Sequence, residues 1–241
     1  MKLLIDIGNS FVKYCTDDAP KDIFTCRAEQ LRGQLELFAQ GKPVKGGMYC
    51  SVMNPRGEVI TYLKNTLGLE ELTYKTAIPV RNGYATPETL GMDRLAGIVG
   101  VWSEFRGKNC LLIDMGTCIK YDVLTADGEY IGGAISPGVR MRYQAMHTFT
   151  DRLPLLEAVG KETEIGWTGK NTADSMHNGV IQGIRGEIER FIRITEERYG
   201  DIQVIVTGGD SVNFATYVKN RIFARPNIIL TGLSEIVRLT E

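Results

Sequence analysis

The sequence predicts an α/β protein built from two similar halves. Three observations predict it: an internal repeat, apolar runs broken by glycine turns, and apolar stripes at helical spacing. Residues 3–14 read LLIDIGNSFVKY and residues 111–121 read LLIDMGTCIKY. Both open Leu-Leu-Ile-Asp-x-Gly and both close on Lys-Tyr, with one residue deleted in between. A segment that recurs about halfway along the chain points to a duplicated unit.

Each copy reads as a strand, a tight turn and a second strand. Leu3-Leu4-Ile5 is an apolar run, Gly8-Asn9 is a hairpin signal, and Phe11 to Tyr14 resumes a β-rich composition. In the second copy Cys110 to Ile113 is the strand, Gly116 the turn, and Ile119 to Leu124 the return. Asp127-Gly128 then turns into a third strand over 130–135. Leu95, Ile98, Val99 and Trp102 share one helical face, and Ile181, Ile184, Ile188, Phe191 and Ile192 repeat that spacing. Val204-Ile205-Val206, ahead of Thr207-Gly208-Gly209-Asp210, reads as a buried strand ending in a glycine turn. Strands alternating with helices predict α/β layers, and the hairpins make each sheet mixed. The polar stretch Arg106 to Asn109 marks the boundary, giving halves 1–107 and 108–241.

Composition narrows the function. The 241 residues carry 28 Lys plus Arg against 29 Asp plus Glu, a net charge of -1 that supplies no basic field for nucleic acid. The apolar stretch before Asp6 is too short for a signal peptide and no segment approaches a membrane span, so the chain is expected in the cytoplasm. Its five cysteines are widely spaced, form no Cys-x-x-Cys pair, and read as reduced and buried. His147 and His177 have no ligand-like spacing, and Met141, Met146 and Met176 read as gap-fillers. Tyr143 suits a core or a subunit interface equally.

The chemistry lies in two acidic turns, Asp6-Ile7-Gly8-Asn9-Ser10 and Asp114-Met115-Gly116-Thr117. Each puts a carboxylate at the end of a buried strand and a glycine just beyond it. The glycine lets the backbone turn so that successive N–H groups can point at an anion. Ser10 or Thr117 adds a hydroxyl and Lys13 a charge, while the aspartates suit a cation beside phosphates. Turn chemistry alone explains one such motif, but two at matching points of a repeat suggest a clamp for a nucleotide.

These residues resemble the superfold of actin, the sugar kinases and the Hsp70 ATPase, in which duplicated halves grip ATP. Within it the chain looks closest to the type III pantothenate kinases, over essentially its whole length. It carries that family's motifs in order: Asp6 to Ser10, Gly91-Met92-Asp93-Arg94, Asp114 to Thr117, Gly132 to Gly138, and Thr172-Ala173-Asp174-Ser175-Met176. The resemblance implies duplicated ribonuclease H-like domains, each a mixed five-stranded sheet flanked by helices.

It also implies roles. Asp6, Ile7, Gly8, Asn9, Ser10, Phe11, Val12 and Lys13 would line the ATP phosphates, with Thr117 contributing from the other half. Tyr84, Gly91, Met92, Asp93, Arg94 and Thr172 would contact pantothenate, Asp93 as the base on its primary hydroxyl. Asp114 would ligate a monovalent cation, potassium or ammonium, and Mg²⁺ would accompany ATP. Family members are homodimers whose pantothenate site is completed across the interface. Ser10 replaces the commoner threonine and keeps the hydroxyl. Cys118 and Lys120 stand where the family has Ala and Thr, and Lys120 brings a positive charge close to Asp114. Asp93 and Arg94 would otherwise be ordinary first-turn helix residues. Two other functions fit the same clamp: a silent nucleotide-binding regulator, and a kinase for a different small alcohol.

Overall fold

Leu3–Ile7 (β1) is buried along its whole length and turns back into Val12–Thr16 (β2). Ala19–Cys26 (β3) returns antiparallel outside β2, while Gly47–Ser51 (β4) and Leu69–Glu71 (β5) run parallel to β1 on its other side. The first sheet therefore has the order β3-β2-β1-β4-β5. A computed structural model describes residues 1–41, 43–53, 57–158, 166–214 and 222–240.

Arg81–Asn82 (β6) belongs to a second sheet with Asn109–Met115 (β7), Cys118–Leu124 (β8), Glu129–Pro137 (β9), Ile202–Thr207 (β10) and Ile222–Ala224 (β11). Its order is β11-β10-β7-β8-β9-β6, with β10 parallel to both β7 and β11. Without β6, this is the order of the first sheet repeated: a hairpin, a third strand outside it, and two parallel strands on the far side. The duplication expected from twelve residues extends to the whole sheet.

The sixth strand departs from the expected five. β6 pairs parallel with β9 at Glu129 and Tyr130. Arg81 anchors it by donating to the Asp127 and Glu129 carboxylates, both at 2.9 Å, and Tyr84 stacks on Tyr130 at 6.2 Å. A two-residue strand has little pairing of its own, so these side-chain contacts hold it.

Among the described residues the α-helices are α1 (Leu31–Phe38), α2 (Gly57–Thr61), α3 (Met92–Glu104), α4 (Val139–Thr148), α5 (Thr172–Tyr199), α6 (Ser211–Phe214) and α7 (Ile228–Leu239). The chain forms two compact units. One holds Met1–Gly107, Leu124–Gly132 and Asn227–Glu241, and the other Lys108–Val123 and Gly133–Pro226.

In the first unit α3 packs on β4 and α7 packs on α3, β1 and β4. Every residue of α3 from Asp93 to Val101 is buried, so its apolar stripe is only part of what it hides. Close crossing is possible because Gly100 and Gly232 lack side chains where the two backbones meet. In the second unit α5 lays Val180, Ile181, Ile184 and Ile188 over Leu111, Ile113 and Val204. Asn171 caps α5 by accepting the Asp174 N–H at 2.9 Å, and Gly200, at φ 74°, ends it.

Four of the five cysteines are buried as expected, and Cys118 is half-buried at its hairpin. Burial pushes the Cys15 and Cys110 thiols up to about 12, with Asp17 adding to the effect at Cys15, so both stay protonated and unreactive. Tyr143 falls in the core, its hydroxyl 2.9 Å from His177 Nδ1. His147 is exposed and bonds the Leu153 carbonyl at 2.8 Å.

Candidate functional site

The two acidic turns close in the same way. In the first, Gly8 N–H donates to the Phe11 carbonyl at 3.1 Å. In the second, Gly116 N–H donates to the Cys118 carbonyl at 3.0 Å. Asn9-Ser10 fill the first loop and Thr117 alone fills the second, so the one-residue deletion lies at the tip. Neither glycine has a positive φ. Gly8 is required by space, since a Cβ there would come within 2.9 Å of the Phe11 carbonyl oxygen. Gly116 has nothing nearer than 3.9 Å, so its bare backbone leaves the turn open.

This refines the expectation that the glycine N–H groups face an anion. Those two donors are spent on closing the hairpins, and the exposed parts of the turns are Asn9, Ser10, Phe11 and Thr117. Ile7 and Val12 bury their side chains in the first unit's core, which leaves only their backbone for a ligand. Asp6 is buried, its Oδ1 3.6 Å from the Cys50 thiol, and Lys13 stands directly across the ladder from it.

The second turn is gripped on two sides. Gly138 N–H donates to the Thr117 carbonyl at 3.0 Å, and a Cβ on Gly138 would collide with the Gly116 and Thr117 carbonyls. On the other side Gly208, at φ 90°, lies against the Met115 backbone, and Asp210 N–H donates to the Met115 carbonyl at 3.0 Å. Burial pushes the Asp210 carboxyl up. The segment Thr207 to Asp210 thus joins the site at the end of β10, beside β7. Ends of parallel strands are where α/β sheets bind ligands, so this glycine turn was the available signal in the sequence.

Glu187 supports the Gly138 turn from α5. Its carboxylate accepts the Tyr121 hydroxyl at 2.8 Å, the Arg142 guanidinium at 2.6 Å and the Ser136 hydroxyl, while Arg142 Nε donates to the Pro137 carbonyl at 2.9 Å. Burial works to raise the Glu187 carboxyl, but the bonds from Ser136, Arg142 and Tyr121 outweigh it and hold the group below the usual range. Glu187 bears no motif signal. Only the packing of α5 on the sheet exposes its role.

Asp114 meets Lys120 at the second turn. Nζ lies 2.8 Å from Oδ2, and the two side chains are 19% and 14% exposed respectively. A carboxylate already holding an ammonium at this distance does not fit as the ligand of an added monovalent cation. Among the described residues there is also no cluster of three or more His, Cys, Asp or Glu side chains able to hold a metal.

In the first unit Tyr84, Gly91, Met92, Asp93 and Arg94 come together. Gly91 is the N-cap of α3, Met92 its first residue and Asp93 an acid in its first turn, where Oδ1 accepts the Arg94 N–H at 2.8 Å. A Cβ on Gly91 would lie 2.8 Å from that same oxygen, so the glycine makes room for the Asp93 carboxylate. Asp93 and Arg94 are each only 5% exposed, which excludes a solvated surface role. The Arg94 guanidinium sits 5.5 Å over the Tyr84 ring, and Tyr84 N–H donates to Asn82 Oδ1 at 3.0 Å. A Cβ on Gly132, at φ 97°, would lie 3.5 Å from the Tyr84 ring. Thr172 belongs to the second unit, exposed at the first position of α5.

A family model described as type III pantothenate kinase matches residues 2–194. A type III pantothenate kinase of Phocaeicola vulgatus is 38% identical, with 100% of this chain and 99% of the relative aligned. A crystal structure from Campylobacter jejuni, described as a Baf family transcriptional activator, superposes with a TM-score of 0.66 at 21% identity, covering 99% of this chain and 98% of its own. A Listeria monocytogenes structure described as an N-acetylmannosamine kinase gives 0.55 at 14% identity, with both chains covered in full. At such identities these two likenesses speak for the fold alone.

Proposed function

The chain belongs to the type III pantothenate kinase family, and from that premise we propose that it transfers the γ-phosphoryl group of ATP to the primary hydroxyl of pantothenate. The observation that carries this reading is the start of α3, where the consecutive residues Asp93 and Arg94 are both buried. Asp93 takes the hydroxyl proton as the alcohol oxygen attacks the γ-phosphorus. The bond from that phosphorus to the bridging oxygen breaks, and ADP leaves. Arg94, steadied over Tyr84, suits the substrate carboxylate. Hydroxyl and carboxylate are at opposite ends of pantothenate, so Tyr84, Thr172 or a second subunit shares in holding it.

ATP is held by Asp6 to Lys13 and by Thr117. Mg²⁺ enters with the nucleotide as part of the substrate. Residues 1–107 and 108–241 are read as the two copies of the duplicated ATPase half, in keeping with the repeated strand order. A homodimer is carried over from the family resemblance, and Phe149, 85% exposed, and Trp167, 91% exposed, are two apolar side chains of the second unit available to it. A cytoplasmic location is part of the same reading; no described helix is long and apolar enough to cross a membrane.

The test is ATP consumption with Mg²⁺, with and without pantothenate, alongside a panel of other small alcohols. Pantothenate-dependent formation of ADP and a phosphorylated product is the expected result. Stimulation by another alcohol alone would redirect the substrate, and no stimulation by any acceptor would favour a nucleotide-binding regulator.

A further inference from the structure

The Asp114–Lys120 pair has a consequence for how the site obtains its positive charge. In each half the strand following the acidic turn brings a lysine back to the strand-end aspartate. Lys13 stands opposite Asp6 in the ladder, and Lys120 Nζ lies 2.8 Å from Asp114 Oδ2. Lys-Tyr closes both copies of the sequence repeat, so Lys120 belongs to the hairpin pattern itself. At Asp114 the ammonium and the carboxylate are both largely withdrawn from water, where an ion pair is screened little by salt.

We propose that the Lys120 ammonium takes the place of a free monovalent cation at Asp114, so that this chain binds and uses ATP without added potassium or ammonium. A lysine ammonium carries the same single charge as ammonium ion and offers the same kind of N–H donors. It reaches Asp114 on an adjacent strand through a hairpin whose tip is Thr117. A tethered group of this kind has an effective concentration above that of dissolved salt.

The hairpin backbone leading to the lysine is held in place. The Gly116 N–H closes it on the Cys118 carbonyl, the Gly138 N–H holds the Thr117 carbonyl, and the Asp210 N–H holds the Met115 carbonyl. An added cation on the same carboxylate would meet the ammonium at short range and be repelled.

The activity arm of the test rests on the pantothenate kinase reading, whereas the ATP-binding arm does not. ATP affinity is measured by calorimetry on the full chain with Mg²⁺, in potassium chloride, ammonium chloride or tetramethylammonium chloride at matched ionic strength. Pantothenate phosphorylation is followed in the same three salts. The wild-type chain is expected to bind ATP and turn over within about twofold in all three.

Lys120→Ala and Lys120→Gln uncover the carboxylate. In tetramethylammonium both are expected to lose about tenfold or more in ATP affinity and to recover it in potassium or ammonium. A thermal melt of each variant shows whether it is folded. Wild-type affinity that rises about tenfold with potassium would overturn the proposal, as would folded variants indifferent to the salt. The wild-type comparison decides even if neither variant folds. If ATP binds but pantothenate is not phosphorylated, the kinase reading fails while the binding arm still decides this one.

Discussion

Gly232 of α7 lies against Ala96 of α3 with no room for a methyl group between them. A Cβ on Gly232 would collide with the Ala96 carbonyl oxygen, and one on Gly100 would collide with that of Ile228. The obstacle in both cases is backbone, which cannot rotate aside. Gly232→Ala gains about 1 kcal/mol of helix propensity, but overpacking costs about 1–3 kcal/mol and more where the neighbour is rigid. Packing wins. Thermal unfolding of Gly232→Ala is expected below wild type, and of Gly232→Val lower still. An unchanged melting temperature for both would show that the helices part without cost.

Asp93→Asn tests the base. General base catalysis contributes about 10²–10⁴-fold, so kcat is expected to fall by that order while ATP affinity is kept. The amide can still occupy the space that Gly91 leaves for Asp93 Oδ1. Turnover close to wild type would remove Asp93 from that role.

Arg94→Lys separates charge from geometry. The lysine keeps the charge but loses the planar fork over Tyr84. KM for pantothenate is expected to rise about tenfold or more, with a smaller effect on kcat. Equal loss in kcat and kcat/KM would place Arg94 at the transition state instead of on the substrate carboxylate.

Glu187 ties stability to pH. Its carboxyl is held below the ordinary glutamate value, about 4.3, so the folded state favours the ionised form. This contribution is fully present above that value and is lost as pH falls through the lower folded one. Glu187→Gln replaces bonds to a charged group, each worth about 1.5–3 kcal/mol, with weaker ones. Urea midpoints should drop for the variant near neutral pH and converge with wild type in acid. A constant gap down to low pH would mean that Glu187 acts by shape alone.

Phe149→Glu and Trp167→Glu test the assembly. Both side chains are exposed in the single chain, so charging them should leave its folding intact. Sedimentation is expected to shift from a dimer to a species of about 27 kDa. A wild-type chain already monomeric at micromolar concentration would remove the homodimer.

Much of the fold is legible in the sequence because its signals are local. The repeat foretells two matching sheets, and the hairpins at Gly8 and Gly116 lie where turn chemistry puts them. The core stripe of α5 follows from spacing alone. Less legible were the features made by residues far apart in the chain. The sixth strand depends on Arg81 meeting Asp127 and Glu129, and the burial of α3 from Asp93 to Val101 depends on α7. At the site, Asp6, Asp114, Asp93 and Arg94 carried motif signals. Glu187 carried none, because a lone glutamate on a helix looks like a solvated charge until its partners arrive.

By itself the sequence determined the duplication, the two acidic turns, and the family through its ordered motifs. These are properties of neighbouring residues, set by backbone preference and apolar spacing. Tertiary structure alone decided three further matters. It turned the glycine N–H groups inward to close the hairpins, leaving the tips exposed. It joined the C-terminal helix α7 to α3 through two glycines more than a hundred residues apart. It also brought Lys120 onto Asp114, since a departure from a motif acquires a meaning only when the distance between the two charges is known.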